Sequence, residues 1–255
     1  MTRVAILVPA RNEADALPFL FAGLESAGIS PSTVLVVDNG STDGTAEIAR
    51  QRGTLVVHEA RAGYGSASLA GIAALRAGEA ALGDHSPDGF PDSAPDILVF
   101  LDADDFAAPA QIHKLVSAIT DQGADLAIGE RESDARQGVR WHARLGNLGV
   151  LAVIRALYGS KVRDMGPCRA IRWDVLESLR LDHPDYGWYV QMQVRALRAG
   201  YRVVGVPMAF HRRTEGKSKI TGSLTASVTA GLVMLTTLVV EVARRRRGSA
   251  AGGAE

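Results

Sequence analysis

The feature that most constrains this chain is an alternation. Four short apolar runs, RVAILVP (3–9), TVLVVD (33–38), TLVVHE (54–59) and DILVFLD (96–102), are each followed by a stretch with helical spacing. Runs this short, rich in β-branched residues and bounded by polar turns, read as buried strands. The helical stretches fall at about 14–27, 46–52, 66–76 and 109–120. Each crossover must bring the chain back to the same end of the sheet. The fold class is therefore α/β, a mostly parallel central sheet with helices on both faces. The 255 residues, 47% hydrophobic and 22% charged, are enough to bury such a core. The segment 83–95, rich in Pro, Gly, Asp and Ser, reads as a surface loop before the fourth strand. Farther on, ADLAIGER (124–131) and YRVVGVPMAFH (201–211) read as strands and 141–159 and 186–200 as helices, with DMGPCRAI (164–171) as a break. No flexible linker separates two units. The expected organisation is one α/β domain over 1–222, an amphipathic or membrane-associated helix over 223–247 and a disordered tail over 248–255.

Charge and cysteine content narrow the classes of function. Lys plus Arg and Asp plus Glu both number 28, a balance that gives no support to nucleic-acid binding. The single cysteine, Cys168, excludes an internal disulfide framework and a Cys-rich zinc site. The N-terminal apolar run is too short for a signal peptide, which points to a cytoplasmic location.

Polar groups gather where the strands end. PARNE (9–13) follows the first strand, DNGSTDGT (38–45) the second, ARAGYGSA (60–67) the third and DADD (102–105) the fourth. Ligands of open α/β sheets sit outside these carboxyl ends. Asp38, at a buried strand end, needs a donor, and the ring N–H of uracil or guanine would serve. Asp43 reads as a helix N-cap. Gly63 and Gly65, between strand and helix, allow backbone to approach a phosphate. The first strand lacks the Gly-x-Gly-x-x-Gly turn of dinucleotide oxidoreductases. In DADD, three like charges at a buried strand end repel one another unless a cation lies among them. Mg²⁺ or Mn²⁺ bridging a carboxylate to a diphosphate suits such oxygens. Asp104 is the first choice for direct coordination, with Asp102 behind it or at a ribose, and Asp105 as an acid starting the next helix. A phosphatase with an aspartate nucleophile would carry its Asp-x-Asp at the first strand, not the fourth.

In their order, V-P-x-x-N-E, D-x-G-S-x-D-G-T, G-x-G-x-A and D-A-D resemble the motifs of inverting family 2 glycosyltransferases, whose catalytic domain has the GT-A nucleotide-sugar fold. The resemblance covers about residues 3–222. WHARLGN, DMGPCRAIR, YGWYVQMQ and RRTEGKSKI are similar to the polyprenyl-phosphate branch, the dolichol-phosphate mannose synthases. It implies that Pro9, Glu13 and Asp38 hold the nucleoside of a UDP- or GDP-linked sugar, and that Asp102 and Asp104 hold metal and donor. Arg212, Arg213 and Lys219 would lie in a mobile loop closing over the diphosphate. A cationic loop there would stabilise the charge on a departing nucleoside diphosphate. Arg144 and Arg169 are further candidates for an anionic substrate; Arg163 and Arg172 read equally well as surface residues.

The pattern departs from the family at one point. Many relatives carry an acid in the helix that here places Gln191 and Gln193, and an amide cannot act as a base. Asp164 and Asp185 are the nearby substitutes. Alternatively, a phosphate acceptor is already ionised, its second pKa being about 6, and needs no base. The polyprenyl-phosphate acceptor is the leading reading. A sugar or lipid hydroxyl acceptor and a non-catalytic nucleotide-sugar-binding role are the alternatives. From Leu224 to Ala243 the chain is long enough to span a bilayer, but Ser, Thr and Glu241 dilute it. Spanning would also carry Arg244 to Arg247 away from the cytoplasmic side. Leu224, Val228, Leu232, Leu235, Val239 and Val242 recur at helical spacing. They form the apolar stripe of a helix lying on the membrane or against the domain, with the Arg cluster drawn to anionic lipid.

Overall fold

The four apolar runs form β1 (Val4–Ala10), β2 (Val34–Asp38), β3 (Leu55–His58) and β4 (Ile97–Phe100), mutually parallel in the computed structural model. The structure describes residues 2–78, 94–105, 108–132, 141–209 and 224–251, the side chains of 141–145, 224–230 and 245–251 excepted. Most of the loop read at 83–95 lies outside that set. The crossover helices are α1 (Leu17–Ser26), α2 (Thr45–Gln51), α3 (Tyr64–Ala77) and α4 (Ile112–Thr120). The stretch expected to be helical from 109 begins with a 3-10 turn, Pro109–Gln111, where proline has no N–H to give. Then come β5 (Leu126–Arg131), α5 (Trp141–Tyr158), β6 (Arg169–Arg172), α6 (Trp173–Leu179), α7 (Gly187–Arg198), β7 (Val203–Met208) and α8 (Leu224–Ala251).

The seven strands are ordered β3-β2-β1-β4-β6-β5-β7. From β1 the chain winds outward to β3 and then crosses to β4 on the other side. The crevice at that reversal opens beyond the carboxyl ends of β1 and β4. Two elements escape the sequence reading. β6, inside the stretch read as a break, runs antiparallel between β4 and β5, and α6 follows it directly. A four-residue strand with arginine at both ends has no hydrophobic signature. Arg169 can be buried there only because its guanidinium finds carbonyls, Gly166 O at 3.2 Å and Tyr189 O at 2.9 Å.

Strand alternation divides the core between the two faces. Ala5, Leu7, Leu35, Val37, Leu98 and Phe100 face α3, α5, α7 and α8, while Ile6, Val8, Val34, Val36 and Val99 face α1, α2 and α4. Pro9 is tolerated in the central strand because β1 pairs with β4 only over Val4–Leu7, so its missing N–H breaks no ladder bond there. α8 packs across α7 and α5. It turns Thr237, Leu238 and Glu241 inward and leaves Leu232, Leu235, Val239 and Val240 exposed. Much of the stripe expected from the sequence thus points outward, while a glutamate points in. α8 also continues past residue 247, into the segment read as tail. No described helix is long and apolar enough to cross a membrane.

Candidate active site

The loops after β1, β2 and β3 are laced together by asparagines that sequence reasoning passed over. Asn12 adopts the left-handed conformation, φ 52°, which asparagine accepts more readily than most residues. Its N–H donates to Ser41 Oγ at 2.9 Å, and its Oδ1 accepts from Thr42 N at 2.7 Å. The Glu13 N–H donates to Thr45 Oγ1 at 2.8 Å. Asn39 is buried; its Nδ2 donates to Glu59 O at 3.0 Å and Arg61 O at 2.8 Å, and its Oδ1 accepts from Gly63 N at 2.9 Å. Such bonds hold irregular backbone in one arrangement and so preorganise the crevice. The available signal was an asparagine immediately after an acidic strand end, a position where the side chain can reach neighbouring loop backbone.

Asp38 is buried, as expected. Its Oδ1 accepts from Ser41 N at 3.0 Å and its Oδ2 lies 3.0 Å from His58 Nδ1. The His58 side chain is 62% exposed and so covers the outer oxygen without sealing it. Asp43 does not occupy the N-cap itself, which is Gly44. Its carboxylate accepts from Thr45 N at 3.0 Å, from Ala14 N at 3.2 Å and from the Thr45 hydroxyl. Burial works to raise its pKa, but the bonds from Thr45 and Ala14 outweigh it and hold the group below 3.8.

Gly63 (φ 136°) and Gly65 serve a close approach of protein backbone. A side chain at either would strike the carbonyls of Pro184 and His183, and Ser66 N donates to Pro184 O at 2.8 Å. That part of the α3 N-terminus, expected to face a phosphate, is covered by residues 183–184.

Asp102 follows β4, half-buried. Its carbonyl accepts from Asp105 N at 3.1 Å, and its Oδ1 accepts from the Tyr189 hydroxyl at 3.3 Å. Burial first, then the charges of Asp104 and Asp105, push its pKa up from 3.8 to about 7. Asp105 Oδ1 accepts from Ala108 N at 3.2 Å, in keeping with an acid that starts the next helical turn. Beneath the cluster the Tyr64 and Tyr189 rings lie 4.8 Å apart, and the Arg169 guanidinium sits 4.4 Å from the Tyr189 centroid. Burial raises both phenols well above 10 and lowers Arg169 to about 10. Arg169 is fully buried and cannot touch a substrate directly; it supports Tyr189 from below.

Asp164 is tied up as well. Arg131 meets it with Nε at 2.7 Å, Nη2 at 2.9 Å and backbone N at 3.0 Å, and Asn147 Nδ2 adds a bond at 2.8 Å. Burial raises its pKa, yet these donors outweigh it and hold Asp164 below 3.8. So paired a carboxylate is a poor proton acceptor, which speaks against Asp164 as a base. Asp185 is half-buried beside Tyr186. Burial, then Asp185 and Asp102, raise the Tyr186 phenol, which places Tyr186 in the field of both acids. Gln193 is buried with no partner for either amide atom among the described residues. Arg144 belongs to α5, but its side chain is not described; Arg212, Arg213 and Lys219 lie outside the described residues.

Among the described residues no three metal-type side chains converge into an all-protein site. Two or three hard oxygens at one strand end fit instead an ion that shares its coordination with a diphosphate. The sheet and the reversal between β1 and β4 have the GT-A arrangement of the solved glycosyltransferases that superpose on this chain. The chain belongs to glycosyl transferase family 2, whose profile matches residues 5–180. It is 34% identical to the polyprenol monophosphomannose synthase of Mycolicibacterium smegmatis, over 87% of this chain and 82% of that one. It is 32% identical to the undecaprenyl-phosphate mannosyltransferase of Micrococcus luteus, over 87% and 89%. Glucosyl-3-phosphoglycerate synthase from Mycobacterium tuberculosis, solved with Mn²⁺, UDP and phosphoglyceric acid, superposes with a TM-score of 0.71. That match covers 94% of this chain and 78% of the other at 20% identity, a likeness of fold.

Proposed function

We propose that this glycosyltransferase moves a sugar from a UDP- or GDP-linked donor to a polyprenyl phosphate with inversion, using Mg²⁺ or Mn²⁺ at Asp104 and Asp102. What carries the acceptor class is the condition of the groups that could act as base. Asp164 is held by Arg131 and Asn147, and the helix in which many relatives carry an acid has the amides Gln191 and Gln193. An ionised phosphate oxygen needs orientation and charge neutralisation, not deprotonation. The names of the relatives from Mycolicibacterium and Micrococcus support the same acceptor. Asp38 would receive a ring N–H of the base, with Pro9 and Glu13 bordering the nucleoside. The bound ion would neutralise charge on the departing diphosphate. Arg212, Arg213 and Lys219 would add to that, and Arg144 would face the acceptor phosphate. The outward apolar residues of α8 and the cluster from Arg244 to Arg247 suit peripheral attachment to the cytoplasmic face of a membrane.

A second reading, a hydroxyl acceptor with Asp185 as base, is favoured by the position of Asp185 next to Tyr186 near the aspartate cluster. Incubation with labelled nucleotide-sugars, Mn²⁺ or Mg²⁺ and a polyprenyl phosphate separates the two. Chelator-sensitive label in the butanol phase, retained in Asp185→Asn, supports the phosphate acceptor. Label only with hydroxyl acceptors, lost in Asp185→Asn, supports the other.

The shift of Asp102 predicts how ion binding depends on pH. A carboxyl near 7 must lose its proton before it can bind the ion, so Mn²⁺ binding gains from rising pH. Thermal protection by Mn²⁺ is therefore expected to be weak near pH 5.5 and to approach its limit near pH 8. Equal protection at both ends would remove Asp102 from the ligand set.

A further inference from the structure

The C-terminal helix reaches into the crevice through the segment 182–186, which leads into α7. On one side this segment seals the start of α3: Pro184 O accepts from Ser66 N at 2.8 Å and from Ser66 Oγ at 3.2 Å, and Gly63 and Gly65 make room for it. From below, Gln191 holds it. Its Oε1 accepts from Asp182 N at 2.9 Å and His183 N at 3.0 Å, while its Nε2 donates to Asp182 Oδ1 at 2.8 Å and Glu241 Oε1 at 3.2 Å. An amide suits that role, because its oxygen accepts two hydrogen bonds while its NH₂ donates two, which an ionised carboxylate in the same place could not do.

From α8, Thr237 Oγ1 meets His183 Nε2 at 3.0 Å. The Thr237 hydroxyl proton goes to Val233 O at 2.7 Å, so hydrogen-bond logic assigns the shared hydrogen to His183 Nε2. His183 Nδ1 then faces the Asp185 backbone, 3.1 Å from its N and 3.2 Å from its O. Gly187 completes the fit: a side chain there would collide with both Thr237 Oγ1 and the His183 ring. Within the first turn of α7, Tyr189 donates to Asp102.

We propose that α8 positions the active-site segment 182–186, with Thr237 and His183 as positioning residues that hold Asp185 and Tyr186 beside the aspartate cluster. The helix is thus part of the catalytic apparatus and not only an attachment. This rests on the chain's being a family 2 glycosyltransferase and not on any acceptor.

Thr237→Val keeps the shape and removes the hydroxyl; Thr237→Ser keeps the hydroxyl. In Thr237→Val, amide exchange at 182–186 is expected to quicken about tenfold, with the sheet unchanged. The kcat of metal-dependent donor turnover should fall about tenfold, with donor KM held within about twofold. Thr237→Ser should match the wild type in both. Wild-type exchange and kcat in Thr237→Val would overturn the proposal, as would serine no better than valine, or exchange that quickens equally in β1 and β4. Exchange is read without an acceptor, so failure of the lipid-phosphate reading leaves this test intact.

Discussion

Asp104→Ala is expected to lower sugar transfer by about 10³-fold or more while the fold persists. Asp104 stands just beyond β4, half-buried, two positions after Asp102 on the rim of the crevice. Its negative charge is, after burial, the largest cause of the raised Asp102 pKa. That charge weakens the empty protein. The unfolded Asp102 ionises near 3.8 and the folded one only at about 7, so stability falls as pH rises between those values. Removing Asp104 brings the folded pKa back down and shrinks that loss. Melting of the variant should therefore change less with pH between about 4 and 7 than that of the wild type, and should no longer respond to Mn²⁺. Asp104→Asn should behave alike, because a neutral amide is a poor ligand for a hard cation. Full turnover in Asp104→Ala would falsify the metal assignment. Lost turnover with a collapsed melting curve would show instead that Asp104 is structural.

How much of this was legible in the sequence depended on what each residue does. Strands β1 to β4 were, because a buried parallel strand is apolar along its length, and these runs are short, rich in β-branched residues and bounded by turn signals. So was the crevice, since Asp38 and the cluster from Asp102 to Asp105 are too costly at buried strand ends to lack a reason. What stayed hidden has polar residues doing the work of packing. β6 is bounded by Arg169 and Arg172, and the first of them is buriable because its guanidinium meets the carbonyl of Gly166 nearby in the chain and that of Tyr189 on α7. Gly63 and Gly65 read as room for a phosphate because a sequence cannot show that residues 183–184, more than a hundred positions later, fill the same space. Asp164 looked available as a base for the same reason, its partner Arg131 being 33 residues away. Gln191 registered only as a missing acid. The bonds it makes to Asp182, His183 and Glu241 supply the reason for an amide.

Glu241→Ala is expected to destabilise the protein by about 3 kcal/mol or more, lowering Tm by roughly 6–12 °C. In the sequence Glu241 merely dilutes an apolar helix; in the structure it is fully buried beneath it. Arg195 Nη2 lies at 2.8 Å, Arg244 Nη1 at 3.1 Å and Arg198 Nη1 at 3.5 Å. Replacing such a pair by apolar residues can be neutral, but deleting one partner leaves the other buried and uncompensated. Arg195 is that partner: buried, with Asp182, itself 62% exposed, the one carboxylate left to pair with it among the described residues. Burial works to raise the Glu241 pKa, and Arg195, Gln191 and Arg198 outweigh it, so the folded value lies below 4.5. The contribution is then fully present above about pH 4.5 and disappears as pH falls through the lower, folded value. The gap between wild type and Glu241→Ala should accordingly be constant from pH 6 to 8 and close in acid. Glu241→Gln should fall between the two, because it keeps an acceptor for Arg195 Nη2 but not the charge. A variant that melts with the wild type at pH 7 would mean that α8 is seated by Leu238 and its apolar neighbours alone, with Glu241 contributing nothing.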